Sequence, residues 1–487
     1  MYYDFIVIGS GYGGLSAAAL LVKNGFNVLV LESHSKIGGC ASFYKRKDFL
    51  FDVGATTLSG VRNDQPVGIL FNELGLKPKL KKIDPGIVIG MNNKSIFRYS
   101  DQERWIEEAE KHFGEKNQKT FWNEIHSIDN LAWQFVNKNY KLPIRNLNDF
   151  IAISNPSNLK FIKLLRTLFS SVEKSIEKYK FSDNTFYKFL NEQLLITTQS
   201  KIDEAPYLTA AMGLVYPAET YYPYGGMYKP GELLMNYIIQ SKAEIKFKEK
   251  VIELKQVNDF YEVKTMKGNS YKAKGIISNI PIWNMAKITE GNIQNYFSKY
   301  SEKFNSAWGA FTINFAVEAK DDLPSVYFQI HTEKEIPYCN SKSIFVSFSE
   351  KDDFEKAPLG FRTVTISTHT DVNNWYGLTK DEYEKRKELA ASSILNIFDN
   401  YFAEKLGNEK LFLLSGTPNT FEFYTQREKG FVGGIPHSIK RNLMFMPPNV
   451  TPFENLYMVG DTVFPGQGTP AVILGALNVS KRIMDKK

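Results

Sequence analysis

The fold is decided by one stretch near the N-terminus, residues 3–14, which reads YDFIVIGSGYGG. Its apolar half has the length and composition of a buried strand, and a cluster of glycines ends it. Apolar residues then recur at helical spacing from Leu15 to Leu21, and a second apolar run, NVLVLE, covers residues 27–32. The stretch therefore predicts a strand, a helix and a second strand parallel to the first, joined by a right-handed crossover.

The glycines of the predicted turn follow the spacing GxGxxG, at Gly9, Gly11 and Gly14. The first glycine permits a tight bend, the second lets a pyrophosphate approach the backbone, and the third allows close packing of helix on strand. Glu32 ends the second predicted strand, where a carboxylate can accept hydrogen bonds from ribose hydroxyls. The pattern predicts a dinucleotide site, either FAD or NAD, that also includes the neighbours Ser10, Tyr12, Gly13 and Ser33.

Composition excludes several classes of protein. A chain of 487 residues exceeds the length at which a single core keeps growing, so two interleaved domains are expected. The net charge of +7 is small for this length and does not indicate a nucleic-acid partner. The two cysteines and six histidines show no spacing typical of a disulfide framework or a metal site.

The sequence also bears on location. The N-terminal residues run directly into the first predicted strand, without the pattern of a signal peptide. No apolar run reaches the roughly 18 to 20 residues that a spanning helix needs. We therefore expect a cytoplasmic protein whose contact with a membrane is at most peripheral, on its inner face.

Four further segments resemble those of flavoproteins of the amine oxidase and phytoene desaturase superfamily. They are IGGCA at 37–41, FDVGAT at 51–56, NLYMVGD at 455–461 and PGQGTPA at 465–471. In that family these loops run along the pyrophosphate and the flavin, so the resemblance implies FAD as the cofactor. It adds to the glycine motif a second set of cofactor-binding residues, namely Gly39, Cys40, Ala41, Thr56, Val251, Gly460, Asp461 and Thr469.

Two of these positions have a physical role in the prediction. Asp461 ends a predicted strand and is suited to bind the ribityl hydroxyls of FAD. Thr469 opens an apolar helix whose N-terminal dipole would lie beside N1 and O2 of the flavin, where negative charge collects on reduction. Positive potential at that point would stabilise the reduced anionic flavin.

Two other segments resemble one particular branch of this superfamily. SAWGAF at 306–311 and GFVGGIP at 430–436 are similar to segments of the carotene cis-trans isomerase and carotenoid 3,4-desaturase branch. Cys40 stands where bacterial phytoene desaturases commonly carry arginine, which favours the same branch. Without a CxxC partner, Cys40 is expected to be a neutral packing residue near the flavin. No residue is assigned as catalytic, and Arg427 is a candidate either for the site or for a solvated salt bridge.

The resemblance implies an α/β fold. A Rossmann-like FAD-binding domain of the amine oxidase and glutathione reductase type would be interleaved with a substrate domain of mixed β-sheet and helices. Apolar alternation predicts strands within 244–279, 308–317 and 362–369, and a helix is predicted at 381–402. The predicted division is 1–95 for the first FAD-binding part, 96–220 for a helical substrate or membrane-associated domain, 221–290 for the second FAD-binding part, 291–440 for the β-sheet part of the substrate domain and 441–487 for the C-terminal FAD-binding part.

Residues 159–180 are expected to form a basic amphipathic helix. Its apolar residues would share one face, and its basic residues would lie on others. Such a helix can lie among lipid headgroups and admit a lipid-soluble substrate, although an ordinary helix packed on the core has a similar pattern. The apolar residues are Leu159, Ile162, Leu165, Phe169 and Ile176, and the basic residues are Lys160, Lys163, Arg166, Lys174 and Lys178.

The implied function is that of an FAD-dependent oxidoreductase acting on a carotenoid or similar apolar polyene. The first hypothesis for the reaction is desaturation by hydride transfer to flavin N5, with a quinone or dioxygen as the electron acceptor. Double-bond isomerisation, or saturation of a retinol-like polyene, by reduced FAD remains open.

Two hypotheses from outside this branch are an amine oxidase and a non-catalytic prenyl-lipid carrier of the same fold. An amine oxidase often attaches its flavin through a C-terminal cysteine, and neither Cys40 nor Cys339 lies near Asp461 in sequence. A carrier of that kind lacks intact flavin motifs, and this chain keeps both of them.

Overall fold

The computed structural model describes residues 2–145, 147–320 and 322–486. Within them the strands are β1 (Tyr2–Ile8), β2 (Val28–Leu31), β3 (Phe43–Arg46), β4 (Phe49–Asp52), β5 (Leu80–Lys82), β6 (Ile87–Met91), β7 (Lys94–Arg98), β8 (Tyr221–Pro223), β9 (Glu244–Lys246), β10 (Val251–Val257), β11 (Phe260–Thr265), β12 (Ser270–Ser278), β13 (Trp308–Glu318), β14 (Tyr327–His331), β15 (Ser343–Phe348), β16 (Phe361–Asp371), β17 (Leu411–Gly416) and β18 (Leu456–Met458).

The helices lie mostly between strands. They are α1 (Tyr12–Lys23), α2 (Pro66–Leu74), α3 (Gln102–Phe113), α4 (Gln118–Lys138), α5 (Leu147–Ile153), α6 (Ile162–Leu168), α7 (Val172–Ile176), α8 (Asn184–Thr197), α9 (Tyr207–Val215), α10 (Tyr228–Gln240), α11 (Ile282–Ile288), α12 (Gly291–Lys303), α13 (Lys380–Phe402), α14 (Pro418–Thr425) and α15 (Thr469–Met484).

The first sheet brings the two ends of the chain together. Its strand order is β10-β11-β12-β1-β2-β9, with β18 beside β12. The strands β1, β2, β12 and β18 run parallel, and Ile8 of β1 lies opposite both Leu31 of β2 and Ser278 of β12. All four residues of β2 are buried, as expected for a parallel strand covered on both faces. The predicted strand, helix and second strand are confirmed, as are the C-terminal strand and helix.

The second sheet has the order β17-β13-β16-β15-β14-β6-β7. The long strands β13 and β16 pair antiparallel along their whole length, and they confirm the strands predicted at 308–317 and 362–369. One face of the sheet packs its phenylalanines on α13, where Phe315 and Phe398 lie 5.1 Å apart between ring centres. Residues 87–98 also belong to this sheet, because β6 pairs with β14. The predicted boundary at residue 95 therefore falls inside the β6–β7 hairpin.

The prediction of one helix over residues 159–180 is wrong. The structure divides this segment into a 3-10 helix at Pro156–Phe161, then α6, α7 and a 3-10 turn at Glu177–Tyr179. Helix α6 ends before Phe169, and the Ser171 side chain accepts a hydrogen bond from the Lys174 amide and so begins α7. Ile176 is fully buried, whereas the other four predicted apolar residues are at least half exposed, so the five do not share one face.

No helix in the described ranges combines the length and the apolar character needed to span a bilayer.

Close packing at the third glycine of the motif generates a first prediction. A Cβ atom on Gly14 would lie 2.1 Å from the Gly9 carbonyl oxygen, so helix α1 cannot stay against β1 if residue 14 has a side chain. We expect Gly14→Ala to lower the free energy of unfolding by about 1–3 kcal/mol, measured by urea denaturation.

Gly231→Ala in α10 is the matched control for this substitution. A Cβ atom there would meet its nearest neighbours, on Ile37 and Leu15, at 3.6 Å, which is ordinary contact. This variant should be as stable as the unchanged protein or slightly more stable, since alanine favours a helix. Equal destabilisation by the two substitutions would contradict the packing role of Gly14.

Candidate active site

A large cavity, here called the central cavity, opens at the carboxyl ends of the parallel strands of the first sheet and reaches the second sheet. Its volume is about 1760 Å³. Small-molecule sites are commonly about 300–1,000 Å³, so this cavity has room for a dinucleotide and a second ligand. In open parallel sheets ligands bind at this edge.

Most of the predicted cofactor residues line the central cavity. They are Gly9, Ser10, Gly11, Tyr12, Gly13, Glu32, Ser33, Gly39, Cys40, Ala41, Val251, Gly460, Asp461 and Thr469. Residues more than 400 positions apart in the sequence are thus brought to one space by the pairing of β12 with both β1 and β18. Their individual contacts with the cofactor remain predictions.

Two predicted residues lie outside the lining. Gly14 packs against Gly9, as described above, and its role is structural. The Thr56 hydroxyl shares a 2.7 Å hydrogen bond with the Ser347 hydroxyl, and the Thr56 carbonyl accepts one of 2.9 Å from Tyr327. In the structure Thr56 therefore connects its loop to the second sheet.

Glu32 has a fixed orientation. Its carboxylate Oε2 accepts hydrogen bonds from the backbone amide and the hydroxyl of Ser10, at 2.8 and 2.6 Å. Oε1 accepts them from the His34 amide at 2.7 Å and the Ser33 hydroxyl at 3.2 Å. Because the side chain is held at the end of β2 and borders the cavity, it fits the predicted contact with a ribose.

Two helices begin at the central cavity without a side-chain cap. Gly11 precedes α1 and Gly468 precedes α15, and neither can offer a side chain to the first free amides of its helix. Such amides and the helix dipole favour negative charge. The first helix fits the pyrophosphate of FAD, and the second fits the part of the flavin that becomes negative on reduction.

Asn279 is a site residue that the sequence analysis missed. It follows β12 and borders the cavity. A Cβ atom on Gly11 would lie 2.6 Å from Asn279 Nδ2, and one on Gly13 would lie 2.7 Å from Oδ1. The missing side chains at these glycines thus make room for Asn279 as well as for a ligand. Its place directly after an apolar strand, in GIISN at 275–279, is a signal that could have been used.

Arg427 is paired with Asp461. Its Nη2 donates to both carboxylate oxygens of Asp461, at 3.0 and 2.9 Å, and its Nε donates to the Phe431 carbonyl at 2.6 Å. The two charged side chains are only 12% and 19% exposed, so the alternative of a solvated salt bridge is wrong. Burial is the largest single influence and would lower the pKa of Arg427, but the charge and hydrogen bonding of Asp461 together with the nearby Cys40 outweigh it, and the pKa is raised.

Cys40 borders the cavity close to this ion pair. Burial raises the pKa of its thiol, and the neighbouring charges of Arg427 and Asp461 act in opposite directions. The thiol is therefore neutral near pH 7, in agreement with the role of a packing residue.

The glycine turn, the fixed Glu32 carboxylate and the two uncapped helix N-termini in one cavity define an FAD-dependent oxidoreductase. The chain belongs to the family of flavin containing amine oxidoreductases, whose family model matches residues 12–484. The resemblance to this superfamily, the α/β fold and the assignment of FAD are thereby confirmed.

Relatives of known function extend the comparison over almost the whole chain. A chloroplastic prolycopene isomerase of an Oncidium hybrid cultivar is 27% identical, covering 99% of this chain and 84% of its own. The all-trans-retinol 13,14-reductase of Danio rerio is 23% identical, covering 99% and 86%. The 4,4'-diaponeurosporene oxygenase of Staphylococcus aureus is 22% identical, covering 99% and 98%.

Solved structures share the fold. An oxidoreductase from Methanosarcina mazei superposes with a TM-score of 0.63 at 19% identity, covering 99% of this chain and all of its own.

The partly buried ion pair generates a second prediction. Arg427→Met would leave the partly buried Asp461 carboxylate without a partner, and we expect it to lower the free energy of unfolding by about 2 kcal/mol. The double variant Arg427→Met with Asp461→Asn should recover part of this loss, since no buried charge is left alone. Urea denaturation at one saturating FAD concentration measures both variants.

The control for this pair lies on the surface. Arg104 and Asp84 form an ion pair of 3.3 Å with side chains 55% and 36% exposed. Arg104→Met should cost at most about 1 kcal/mol. If Arg427→Met lowers the free energy of unfolding no more than Arg104→Met does, the stability of the fold does not depend on the pairing of Arg427 with Asp461.

Proposed function

We propose that this flavoenzyme desaturates a carotenoid or similar apolar polyene. Support comes from three relatives that each align with 99% of the chain and whose names specify prolycopene, retinol and diaponeurosporene. All three compounds are conjugated or partly conjugated isoprenoid chains. Relatives that are named for different reactions thus share this class of compound.

The observation that carries the proposal is the extent of the central cavity. Beyond the cofactor residues the cavity continues between helix α8 and the second sheet. Leu195 and Ile196 line it on the helix side, and Ala310 and Phe345 line it on the sheet side. We call this continuation the substrate arm. It gives a long ligand a place next to the flavin without displacing any predicted cofactor residue.

When bound, FAD supplies an acceptor for the hydride that desaturation removes from carbon. The protein positions the substrate, excludes water and provides positive potential from the N-terminus of α15. A quinone or dioxygen is the proposed acceptor that returns the cofactor to its oxidised form.

Isomerisation is a second candidate. It is favoured by the higher identity to prolycopene isomerases, 27% against 22–23% for the reductase and the oxygenase. An isomerase of this kind uses the reduced cofactor and consumes no electrons overall. The two reactions therefore differ in the redox state that they require.

The third prediction tests both reactions. The purified yellow protein is mixed without oxygen with phytoene, poly-cis lycopene or retinol in liposomes, and pigments and flavin absorbance are followed. Desaturation should bleach one equivalent of FAD for each new double bond. Isomerisation should change the pigment only after the flavin has been reduced, without further bleaching.

A variant that cannot hold FAD is the control, because neither reaction should then occur. Glu32→Ala serves this purpose, since it removes a carboxylate that holds the Ser10 amide and hydroxyl. Hydrogen peroxide released from aliphatic amines, with every polyene unchanged, would instead support an amine oxidase. A colourless protein that binds polyenes without FAD would support a carrier.

An exposed apolar patch fits delivery of such a substrate from a membrane. Its members are more than a third exposed and lie around α6, with the rings of Phe169 and Phe445 in contact at 6.3 Å. Exposed Lys160, Lys163 and Arg166 surround it, and basic residues beside an apolar patch favour anionic lipid. The apolar patch consists of Leu159, Ile162, Leu165, Phe169 and Phe445. We propose that it contacts the bilayer peripherally.

The fourth prediction concerns this patch. Ile162→Ser with Leu165→Ser should reduce sedimentation with vesicles of anionic phospholipid by roughly tenfold or more, since two half-exposed apolar side chains no longer enter the bilayer. Leu359→Ser with Leu413→Ser changes exposed leucines elsewhere and is the control. If both double variants sediment like the unchanged protein, the patch does not contact lipid.

A further inference from the structure

The wall of the substrate arm is polar where a hydrocarbon would need an apolar one. Strand residues alternate between the two faces of a sheet. On β13 the residues Phe311, Ile313 and Phe315 are buried on the face toward α13, and the alternate residues border the cavity. Seven residues of β13, β15 and β16 border the cavity from this face, namely Ala310, Thr312, Asn314, Ser343, Phe345, Ser367 and His369. Thr368 of β16 also borders the cavity, but it lies opposite Phe311 and so belongs to the other face.

These seven residues form one continuous surface. Thr312 lies opposite Ser367, and Ser367 lies opposite Phe345, so the three stand in a row across three strands. Only Ala310 and Phe345 among the seven are apolar. Sites for apolar ligands are lined mainly by apolar side chains, because each polar group that loses water without a new partner costs free energy. Asn314 and Ser343 already bond to protein groups, so the polar side chains that a ligand would have to satisfy are those of Thr312, Ser367 and His369. The wall therefore indicates a substrate with a polar group.

Helix α8 places a carboxylate opposite this wall. Glu192 is 6% exposed and borders the cavity. Its Oε2 accepts hydrogen bonds from the hydroxyls of Ser341 and Ser343, at 3.0 and 2.7 Å. Gln329 Nε2 donates to the Glu192 carbonyl and to the Ser343 hydroxyl, both at 3.1 Å, which fixes the strand against the helix.

One oxygen of this carboxylate is left for a ligand. In residues 2–145, 147–320 and 322–486, Glu192 Oε1 has no hydrogen-bond partner and Glu192 forms no ion pair. Oε1 remains accessible to solvent, and Glu192 borders the cavity, so a ligand in the cavity can reach this oxygen. A buried carboxylate accepts hydrogen bonds only, and it needs a donor to offset the loss of water.

The other polar groups on the wall are uncharged. Burial lowers the pKa of His369 to about 4, so its imidazole is neutral near pH 7. In the described residues, Glu192 thus supplies a carboxyl oxygen that the wall leaves without a hydrogen-bond partner.

The distance from this carboxylate to the cofactor side is short. Gln467, in the loop that precedes α15, donates to the carbonyl of Thr197 at the end of α8. Glu192 lies five residues before Thr197, which is about 7.5 Å along a helix axis. A substrate end bound at Glu192 would therefore place the chain that follows it, along Leu195 and Ile196, toward the loop that precedes α15 and so toward the cofactor side.

We propose that the substrate carries a hydrogen-bond-donating end group, a hydroxyl or an ammonium, that binds Glu192 Oε1. Ser367 and His369 would complete the polar contacts of that end, and the apolar chain would extend along Leu195, Ile196 and Phe345. The inference that the remainder is a polyene rests on the proposed function; the end group rests on the wall and on Glu192 alone.

The fifth prediction compares ligands that differ only at this end. Retinol, its methyl ether and retinylamine are titrated against the FAD-loaded enzyme, and binding is read from the flavin absorbance. A hydrogen bond to a charged group corresponds to a difference in affinity of about tenfold to a hundredfold, so retinol or retinylamine should bind that much more tightly than the ether. Tighter binding of retinol identifies a hydroxyl, and tighter binding of retinylamine identifies an ammonium.

Glu192→Gln is the matching variant, because it keeps the size of the side chain and removes its charge. This variant should lose most of the preference for retinol or retinylamine over the methyl ether, while its FAD content and its affinity for the ether stay unchanged. Glu204→Gln, on an exposed loop, is the control and should keep the preference. If Glu192→Gln does not fold, the comparison of alcohol, amine and ether on the unchanged enzyme still shows whether the site selects a hydrogen-bond-donating end group.

The outcomes separate the two proposals. Equal binding of ether, alcohol and amine overturns the inference and leaves the proposed function intact. Dodecanol and dodecylamine are included as saturated chains with the same ends. If one of them binds in a manner that depends on Glu192 while no polyene binds, the end-group inference stands and the polyene assignment falls. If no ligand of either series binds, both proposals fail.

Discussion

The parallel pairing of β12 with both β1 and β18 is the constraint on which the rest of the structure depends. It places residues 8, 278 and 458 side by side, so that the segments following them open at the same edge of the sheet. Gly9, Asn279 and Gly460 then share one cavity, although hundreds of residues separate them in the chain. The helices that begin beside this edge, α1 and α15, direct uncapped amides into it. A cofactor with an anionic pyrophosphate and a reducible ring suits this arrangement of positive ends.

The two faces of the second sheet have different roles, one in the stability of the core and the other in the proposed specificity for substrate. The phenylalanines of β13 pack with α13 and contribute to the core, whereas the alternate residues are polar and border the substrate arm. Such alternation is possible because a strand presents successive side chains to opposite sides. The sheet is anchored to the cofactor side by Thr56, which bonds to Ser347 and Tyr327, and by Asn314, which donates to the Asp52 carbonyl at 2.9 Å. Substrate and cofactor are thereby held by one connected framework.

Failures of sequence analysis in this protein have a common cause. The periodicity of residues 159–180 is helical, but Ser171 caps a new helix and pairs with Pro206, a residue far along the chain. The hairpin of β6 and β7 joins the second sheet because β14 offers a free edge, which no local pattern indicates. Arg427 and Glu192 likewise stand in segments without a motif. In each case the deciding contact is made with a residue that is distant in sequence.

The sequence by itself determined the parallel strand-helix-strand unit, the cofactor class and a first set of residues that border the cavity. Those features depend on local chemistry: glycines that a turn or a close approach requires, an acid at the end of a strand, and a helix that begins after a glycine loop. Only the tertiary structure decided that Arg427 neutralises Asp461, that Asn279 fills the space above Gly11 and Gly13, and that a polar wall faces Glu192. These contacts join segments from different sheets and helices, and their existence depends on distances and burial that a one-dimensional pattern does not contain.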